Sequence, residues 1–490
     1  MCIALTLGSA CAVTGSAVAG GEDALATAPG APAWRYTLRP DAALTTLDVV
    51  ACFAGDAPSA LVPGGRGAGR LVTARGWDDR GPFPLTPDAA GVLRLPFARR
   101  DACVAYRLDL GATLAAGDGD GSFRVGRDAV LATDAWLWRP REVPDDARAW
   151  VAFDLPAGLA ATTPWPAVPD RPATYAVDAS GFAWRGQLLL GHFAPRALVI
   201  DDRTTFEVVL LDGATATTAV GREHWLRAAA AAVSDVVGAF PRGHLQVVIA
   251  PTPGAGGDPV AFGYVLRGGG ASITLLLSAG ASDAALRHDW VAVHELFHLT
   301  MPPIDGDDAW FSEGVTMYFT ELLRVRAGFL SPDAGFAALH DGFTRGRNDG
   351  TGRTLAAESR DMHATRAYRR VYWAGAAIAL RADLALRRDT GTGGLAPLMA
   401  QLFRCCSRSD HFWTAAAVIE RLDGFAGAPV FAAATKPWLS AAAFPPLADA
   451  YGSLGLDPTT GAPDAEPAHA ALREAIMRPD PDAARDAATP

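Results

Sequence analysis

Between about Trp34 and about Leu211, apolar and polar residues alternate in short runs. Examples are Trp34-Arg35-Tyr36-Thr37-Leu38 and Phe206-Glu207-Val208-Val209-Leu210, set apart by Gly, Pro and Asp turns. Period-two alternation sends successive side chains to opposite faces, which predicts half-buried strands and a sandwich-like sheet domain over 33–212. At Gly221 the period changes. WLRAAAAAVSDVVGAF places Trp225, Leu226, Ala229, Val233, Val236, Val237 and Phe240 at helical spacing, the pattern of an amphipathic helix lying on a sheet. Strands are predicted at 245–250 and 272–277. A helix follows from the cap Ser282-Asp283 through His298, and Pro302-Pro303 stop it. A second helix runs from Asp307-Asp308 to Gly328, a residue suited to a helix C-terminus. From there to about Leu456 the pattern is mostly helical, including 372–388 and 413–422. The remainder, 457–490, is rich in Ala, Pro and Asp and reads as a helix fragment with a disordered tail.

Length and charge narrow the function. A chain of 490 residues is too long for one ordinary domain. Its formal net charge is −10, nearly all its basic residues are arginines, and they form no cluster, so it lacks the electrostatic footprint of a nucleic-acid binder. The apolar start, ending in Ala17-Val18-Ala19, reads as a secretory signal over 1–19, although a basic n-region is missing. In Leu7-Gly8-Ser9-Ala10-Cys11 the leucine stands one residue too far upstream for a lipoprotein box, which makes lipid anchoring the lesser expectation. No later segment has the apolar length to span a bilayer. The expected location is therefore periplasmic or secreted. Beyond the signal remain Cys52, Cys103, Cys405 and Cys406, which allow three pairings. Cys52 and Cys103 both lie in strand-like stretches and are the expected bridge. Cys405 and Cys406 are neighbours, whose ring is strained, and free thiols fit them equally. Without a CxxC pair, a cysteine-based zinc site is not expected.

One stretch carries chemistry: HELFHLTMPPIDGDDAWFSEG, from His294 to Gly314. On a helix, positions i and i+4 share a face, so His294 and His298 can aim two imidazole nitrogens at one point. Zinc accepts such nitrogens, and a catalytic site adds one further protein ligand and a water. Glu295, beside the first histidine, is placed to take a proton from that water. A plain solvated helix explains the spelling poorly, because Val291, Val293, Leu296, Phe297 and Leu299 make this helix apolar nearly all round. Buried histidines and glutamates need compensation, and a metal supplies it. The third ligand falls to Glu313 on the next helix, which Trp310, Phe311, Val315 and Phe319 would seat in the core. Glu321, two turns further on, is the rival. Fourteen positions, 299 to 312, separate His298 from Glu313, which demands a tight connection of two adjacent helices.

HELFH followed by AWFSEGVTMYFTELLRVRAGFL resembles the glycyl aminopeptidase family of zinc metallopeptidases, and VYWAGAAIALRADLALRRDTG is similar to that family's Tyr-x-Lys-Gly-x-Leu helix. The resemblance spans about 33 to 456 and is most specific between 291 and 330. It implies a thermolysin-like catalytic domain holding one Zn2+ on His294, His298 and Glu313, with Glu295 as base. It also implies that Tyr372 donates a hydrogen bond to the oxyanion; read from the residues alone, Tyr372 is an aromatic on an apolar helix. Three departures stand out. The family's Gly-Gly-Leu-Glu-His-like strand, which holds substrate, is matched here to Arg267 followed by Gly268, Gly269, Gly270, Ala271 and Ser272, with no carboxylate for a peptide's α-amine. Ala374 replaces the lysine of the Tyr-x-Lys-Gly pattern. Too few residues follow Gly455 for the PDZ domain common in the family.

The expectation is thus an α+β multidomain chain: an N-terminal β-sandwich-like domain over 33–212, a thermolysin-like zinc domain over 213–330, and an α-helical domain over 331–456 completing the cleft. The expected activity is zinc-dependent hydrolysis of peptides, aminopeptidase-like on small N-terminal residues. Alternatives are an endo- or oligopeptidase without an amine anchor, and an inactive zinc-stabilised binding protein. Of the remaining histidines, His363 is the one to watch as a cleft residue.

Overall fold

In the computed structural model, the alternation of Thr46–Asp56 becomes a strand whose apolar positions are buried one after another. The structure describes residues 32–478 apart from 66, 97–98, 116–120, 254–257 and 410. The signal expected at 1–19 and the end of the tail, 479–490, lie outside the described residues. Seven strands form the main N-terminal sheet, in the order Thr174–Asp178, Arg148–Phe153, Trp34–Pro40, Thr46–Asp56, Arg100–Asp109, Leu71–Asp78 and Gly81–Pro84. All neighbours are antiparallel except Trp34–Pro40 and Arg148–Phe153. Smaller sheets of three and four strands accompany it, and one apolar core, including Tyr36, Phe53, Trp136, Trp138 and Leu188, joins them. Cys52 and Cys103 face one another across two of these strands and are bridged. Cys405 is bonded to its neighbour Cys406.

The second half is built on a five-stranded sheet. Its strands are β1 (Arg196–Val199), β2 (Thr205–Leu210), β3 (His244–Thr252), β4 (Val260–Leu266) and β5 (Ser272–Ser278), in the order β1-β2-β3-β5-β4. The central β2, β3 and β5 run parallel, and the two outer strands are antiparallel to their neighbours. Arg196–Val199 and Thr205–Leu210, which lie within the 33–212 expected for the N-terminal domain, thus join the sheet of the second half. Period-two alternation identifies Phe206–Leu210 as a strand, but long-range pairing decides which sheet it joins. Helix α1 (Ala219–Val237) covers one face, capped by Thr218 and ended by Gly238 in the left-handed region. On the other face, Val209, Val248 and Ala250 pack against Val130 and Leu189 of the N-terminal half.

The expected helix from Ser282 to His298 is two helices. Ser282 caps a short turn, Asp283–Leu286, and the chain restarts as α2 (Val291–His298). Asp289 causes the restart: its carboxylate accepts the Ala292 N–H at 2.9 Å, which competes with helical continuation. Pro302-Pro303 and the single turn Gly306–Asp308 lead into α3 (Ala309–Arg326), which ends before Gly328 at φ +73°. The helical region includes Pro332–Asn348, Leu355–Thr365, α4 (Tyr368–Asp389) and Ala415–Ala426. The helix fragment expected within 457–490 is Pro467–Met477, and it is docked rather than part of a loose tail. Its Ile476 and Met477 are buried, and Arg326 donates to their carbonyls. No helix among the described residues is long and apolar enough to cross a membrane.

Helices α3 and α4 touch at Gly314 and Gly375. A Cβ on Gly375 would run into the Trp310 carbonyl and the Gly314 Cα, both rigid backbone. Gly375→Ala is expected to lose about 1–3 kcal/mol of stability in urea titrations through overpacking, and a loss below about 0.5 kcal/mol would show that the helices part freely.

Candidate metal centre

Seven of the eight residues of α2 are buried, His294 and Glu295 among them. The helix is anchored at both ends. Asp289 caps its start, and burial pushes the Asp289 carboxyl up to about 6. At its end the Arg267 guanidinium donates to the carbonyls of His298 and Met301, which satisfies two of the free acceptors of a helix C-terminus. Helix α3 lies alongside, fixed by Phe297 stacked on Phe319 at 4.6 Å between centroids. Trp310, Phe311, Val315 and Phe319 are buried, as a helix seated in the core requires. Glu313, Thr316 and Thr320, at i, i+3 and i+7, form the face turned to the two histidines.

The resulting geometry is specific. Nε2 of His294 lies 3.2 Å from Nε2 of His298 and 3.2 Å from Oε2 of Glu313, and the His298–Glu313 separation is 3.5 Å. Donors each about 2.0–2.1 Å from one tetrahedral ion would stand ~3.3 Å apart. The three atoms therefore fit a zinc ion, and among the described residues they are the one group of His, Cys, Asp and Glu side chains so arranged. Glu321, the rival, is bound to Arg324 at 2.7 Å instead.

The electrostatics agree with this division. Burial opposes charge on Glu313, but the two histidines outweigh it and hold the carboxyl well below its usual range. Burial lowers His294 below the ordinary imidazole value. At His298 burial works the same way, but the Glu313 carboxylate prevails and the net shift is upward. Glu295 is not part of the triangle. Burial holds its carboxyl up at about 8, with Glu313 and Asp289 adding to the rise and His298 opposing it. Tyr372 comes from α4 and stands parallel to the His294 ring at 6.3 Å. Burial and the Glu313 and Glu295 carboxylates raise its phenol. Tyr368 packs against Tyr372, and its hydroxyl lies 3.2 Å from Nδ1 of the exposed His363, which extends the aromatic wall outward. Ala374 is fully buried, where a lysine would bury its ammonium.

Gly268, Gly269, Gly270, Ala271 and Ser272 are placed elsewhere than beside Glu295. Gly268 accepts from the Trp165 indole at 2.9 Å and donates to the Arg185 carbonyl, while Gly269 and Gly270 abut Trp165 and Pro164. Ala271 and Ser272 are buried where β5 begins. These residues line the seam with the N-terminal half. The strand that meets Glu295 is β4, the sheet's edge, at Gly263. A Cβ there would come within 2.6 Å of Val291 and 2.7 Å of Glu295 Cγ. Gly263→Ala is expected to cut peptide turnover at least tenfold by displacing the base while bound zinc stays unchanged, and equal turnover would remove Gly263 from the site. Sequence reading missed Gly263 because no motif letter marks a close approach. Thr316 and Thr320 carried a signal, their spacing from Glu313. A cavity of about 910 Å3 lies on the opposite side of β4, lined by Phe262 and Tyr264, which alternate with Gly263.

The model of the M61 glycyl aminopeptidase family matches residues 301–377, a segment that contains Glu313 and Tyr372. The fold is shared with an aminopeptidase N family protein from Idiomarina loihiensis, at TM-score 0.67 and 16% identity over 86% of this chain and 78% of that one. It is also shared with an M1 zinc metallopeptidase from Deinococcus radiodurans, at TM-score 0.53 and 17% identity over 89% and 96%. A mutant of the latter bound to a Tyr-Ser-Ala substrate gives TM-score 0.55 and 17% identity over 85% and 95%. The chain thus resembles zinc metallopeptidases in its matched segment and in its fold. No curated protein sequence matches it. What the structural neighbours share with it is an α+β fold of N-terminal sheets and a C-terminal helical region.

Proposed function

We propose that the protein is an exported peptidase whose zinc is held by His294, His298 and Glu313, and that it acts in an aminopeptidase-like manner on peptides with small N-terminal residues. The observation that carries the site is the triangle of donor atoms at 3.2–3.5 Å with Glu295 buried beside it. Zinc, when bound, supplies a Lewis acid that polarises water and the scissile carbonyl. Glu295 takes the proton of the attacking water and passes it to the leaving amine. The Tyr372 phenol donates to the oxygen on which negative charge develops. A substrate backbone pairs with β4, whose outer edge has no strand partner among the described residues. Gly263 lets it approach Glu295. The bridge between Cys52 and Cys103 supports export, since such bonds persist in oxidising compartments.

A second reading, an oligo- or endopeptidase, is favoured by one feature of β4. Val265 shares the Gly263 face, and the strand contains no carboxylate to hold an α-ammonium. A peptide library digested by zinc-loaded protein, with free and with acetylated N-termini, separates the two. Loss of cleavage on acetylation supports the aminopeptidase reading. Equal cleavage of both sets supports the second, and no cleavage of either overturns the proposal.

A further inference from the structure

The outer nitrogens of the two histidines face threonines, and one of these threonines also faces a backbone carbonyl. Nδ1 of His294 lies 3.1 Å from the Thr320 hydroxyl, and both groups are buried. That hydroxyl also lies 2.8 Å from the Thr316 carbonyl, which can only accept from it. The arrangement that satisfies both contacts at once has the hydroxyl accept from His294, so that Nδ1 carries the ring proton and Nε2 presents a lone pair. The bare Nε2 is the atom aimed at Nε2 of His298 and at Glu313. The Thr316 hydroxyl makes a longer contact, 3.3 Å, with Nδ1 of His298, and either atom can donate there.

We infer that Thr320 is a positioning residue that locks His294 in its metal-binding tautomer, with its own proton tied up by the Thr316 carbonyl. The inference rests on the zinc reading of the site. An ordinary role exists for a helical threonine, which often bonds the carbonyl four residues back. That role explains the Thr316 contact, but leaves the buried imidazole needing a partner for its N–H. Glu313, Thr316 and Thr320 stand on one face of α3, so a single helix supplies the third ligand and orients the other two. The valine variant keeps the shape of the threonine and removes the acceptor, while serine restores it.

The test is the zinc dissociation constant of the full chain, measured by chelator competition, with the melting temperature of the zinc-free protein recorded alongside. Thr320→Val is expected to weaken zinc roughly 10–100-fold, the usual cost of losing the hydrogen-bond partner behind a ligating histidine, with the zinc-free melting temperature lowered modestly by the unpaired buried N–H and the protein still folded. Thr320→Ser is expected within about threefold of wild type, since it restores the hydroxyl acceptor behind His294. Thr320→Ala serves as a second removal without the added methyl and should follow the valine variant. Wild-type affinity in both Thr320→Val and Thr320→Ala overturns the inference, as does a serine variant as weak as the valine one. A wild-type protein that binds no zinc at all would instead overturn the site reading beneath it.

Discussion

Glu295→Gln loses peptide hydrolysis by roughly 10²–10⁴-fold, the usual contribution of a positioned general base. The amide keeps the shape of the carboxylate but cannot accept and return a proton. Because Glu295 is not one of the three converging donors, bound zinc stays at wild-type stoichiometry. Its burial also predicts that stability does not fall, since a neutral group replaces a carboxyl that already resists ionisation there. Turnover of a chromogenic peptide, with metal content measured on the same sample, checks both halves. A Glu295→Gln protein with turnover within tenfold of wild type would remove Glu295 from the reaction.

His294→Ala produces a loss of a different kind, in which metal and activity go together. Two of the 3.2 Å contacts in the donor triangle belong to His294. Removing them leaves one histidine and one carboxylate, fewer than the three protein ligands of a catalytic zinc site. In wild type, free zinc at 100 times its dissociation constant adds about 2.7 kcal/mol to stability, which raises the melting temperature. His294→Ala is expected to show no zinc-dependent rise and no hydrolysis. Thermal melts with and without zinc read this directly, and a wild-type response in the variant would mean the ion sits elsewhere.

Local patterns made much of this legible. Two histidines four apart, the glutamate between them and the Pro-Pro stop give one helix and its end, and an apolar stripe through Trp310 and Phe319 gives the next. Once both helices are buried, Glu313 needs compensation, which singles it out as a ligand. What stayed hidden depends on contacts between distant segments. Strand Phe206–Leu210 alternates in the same way whichever sheet it joins, so its place in the second half could not be read. The break before Val291 follows from the buried Asp289 carboxylate, and burial of a single acid is not a local pattern. Pro467–Met477 has a dilute composition, yet it is held by Ile476 and Met477 docked beside Arg326 and by the buried Arg473, which donates to the Leu454 and Asp464 carbonyls. The glycines at 268–270 looked suited to a substrate strand. Their freedom from Cβ instead serves close packing against Trp165 and Pro164, while a lone glycine, Gly263, takes the place beside Glu295.

The most direct test is a titration of zinc into chelator-stripped protein, read as peptide cleavage. Cleavage should be absent at the start, rise in proportion to added zinc and reach its plateau at one ion per chain. Full cleavage by the metal-free protein, or none at any zinc concentration, would contradict the account.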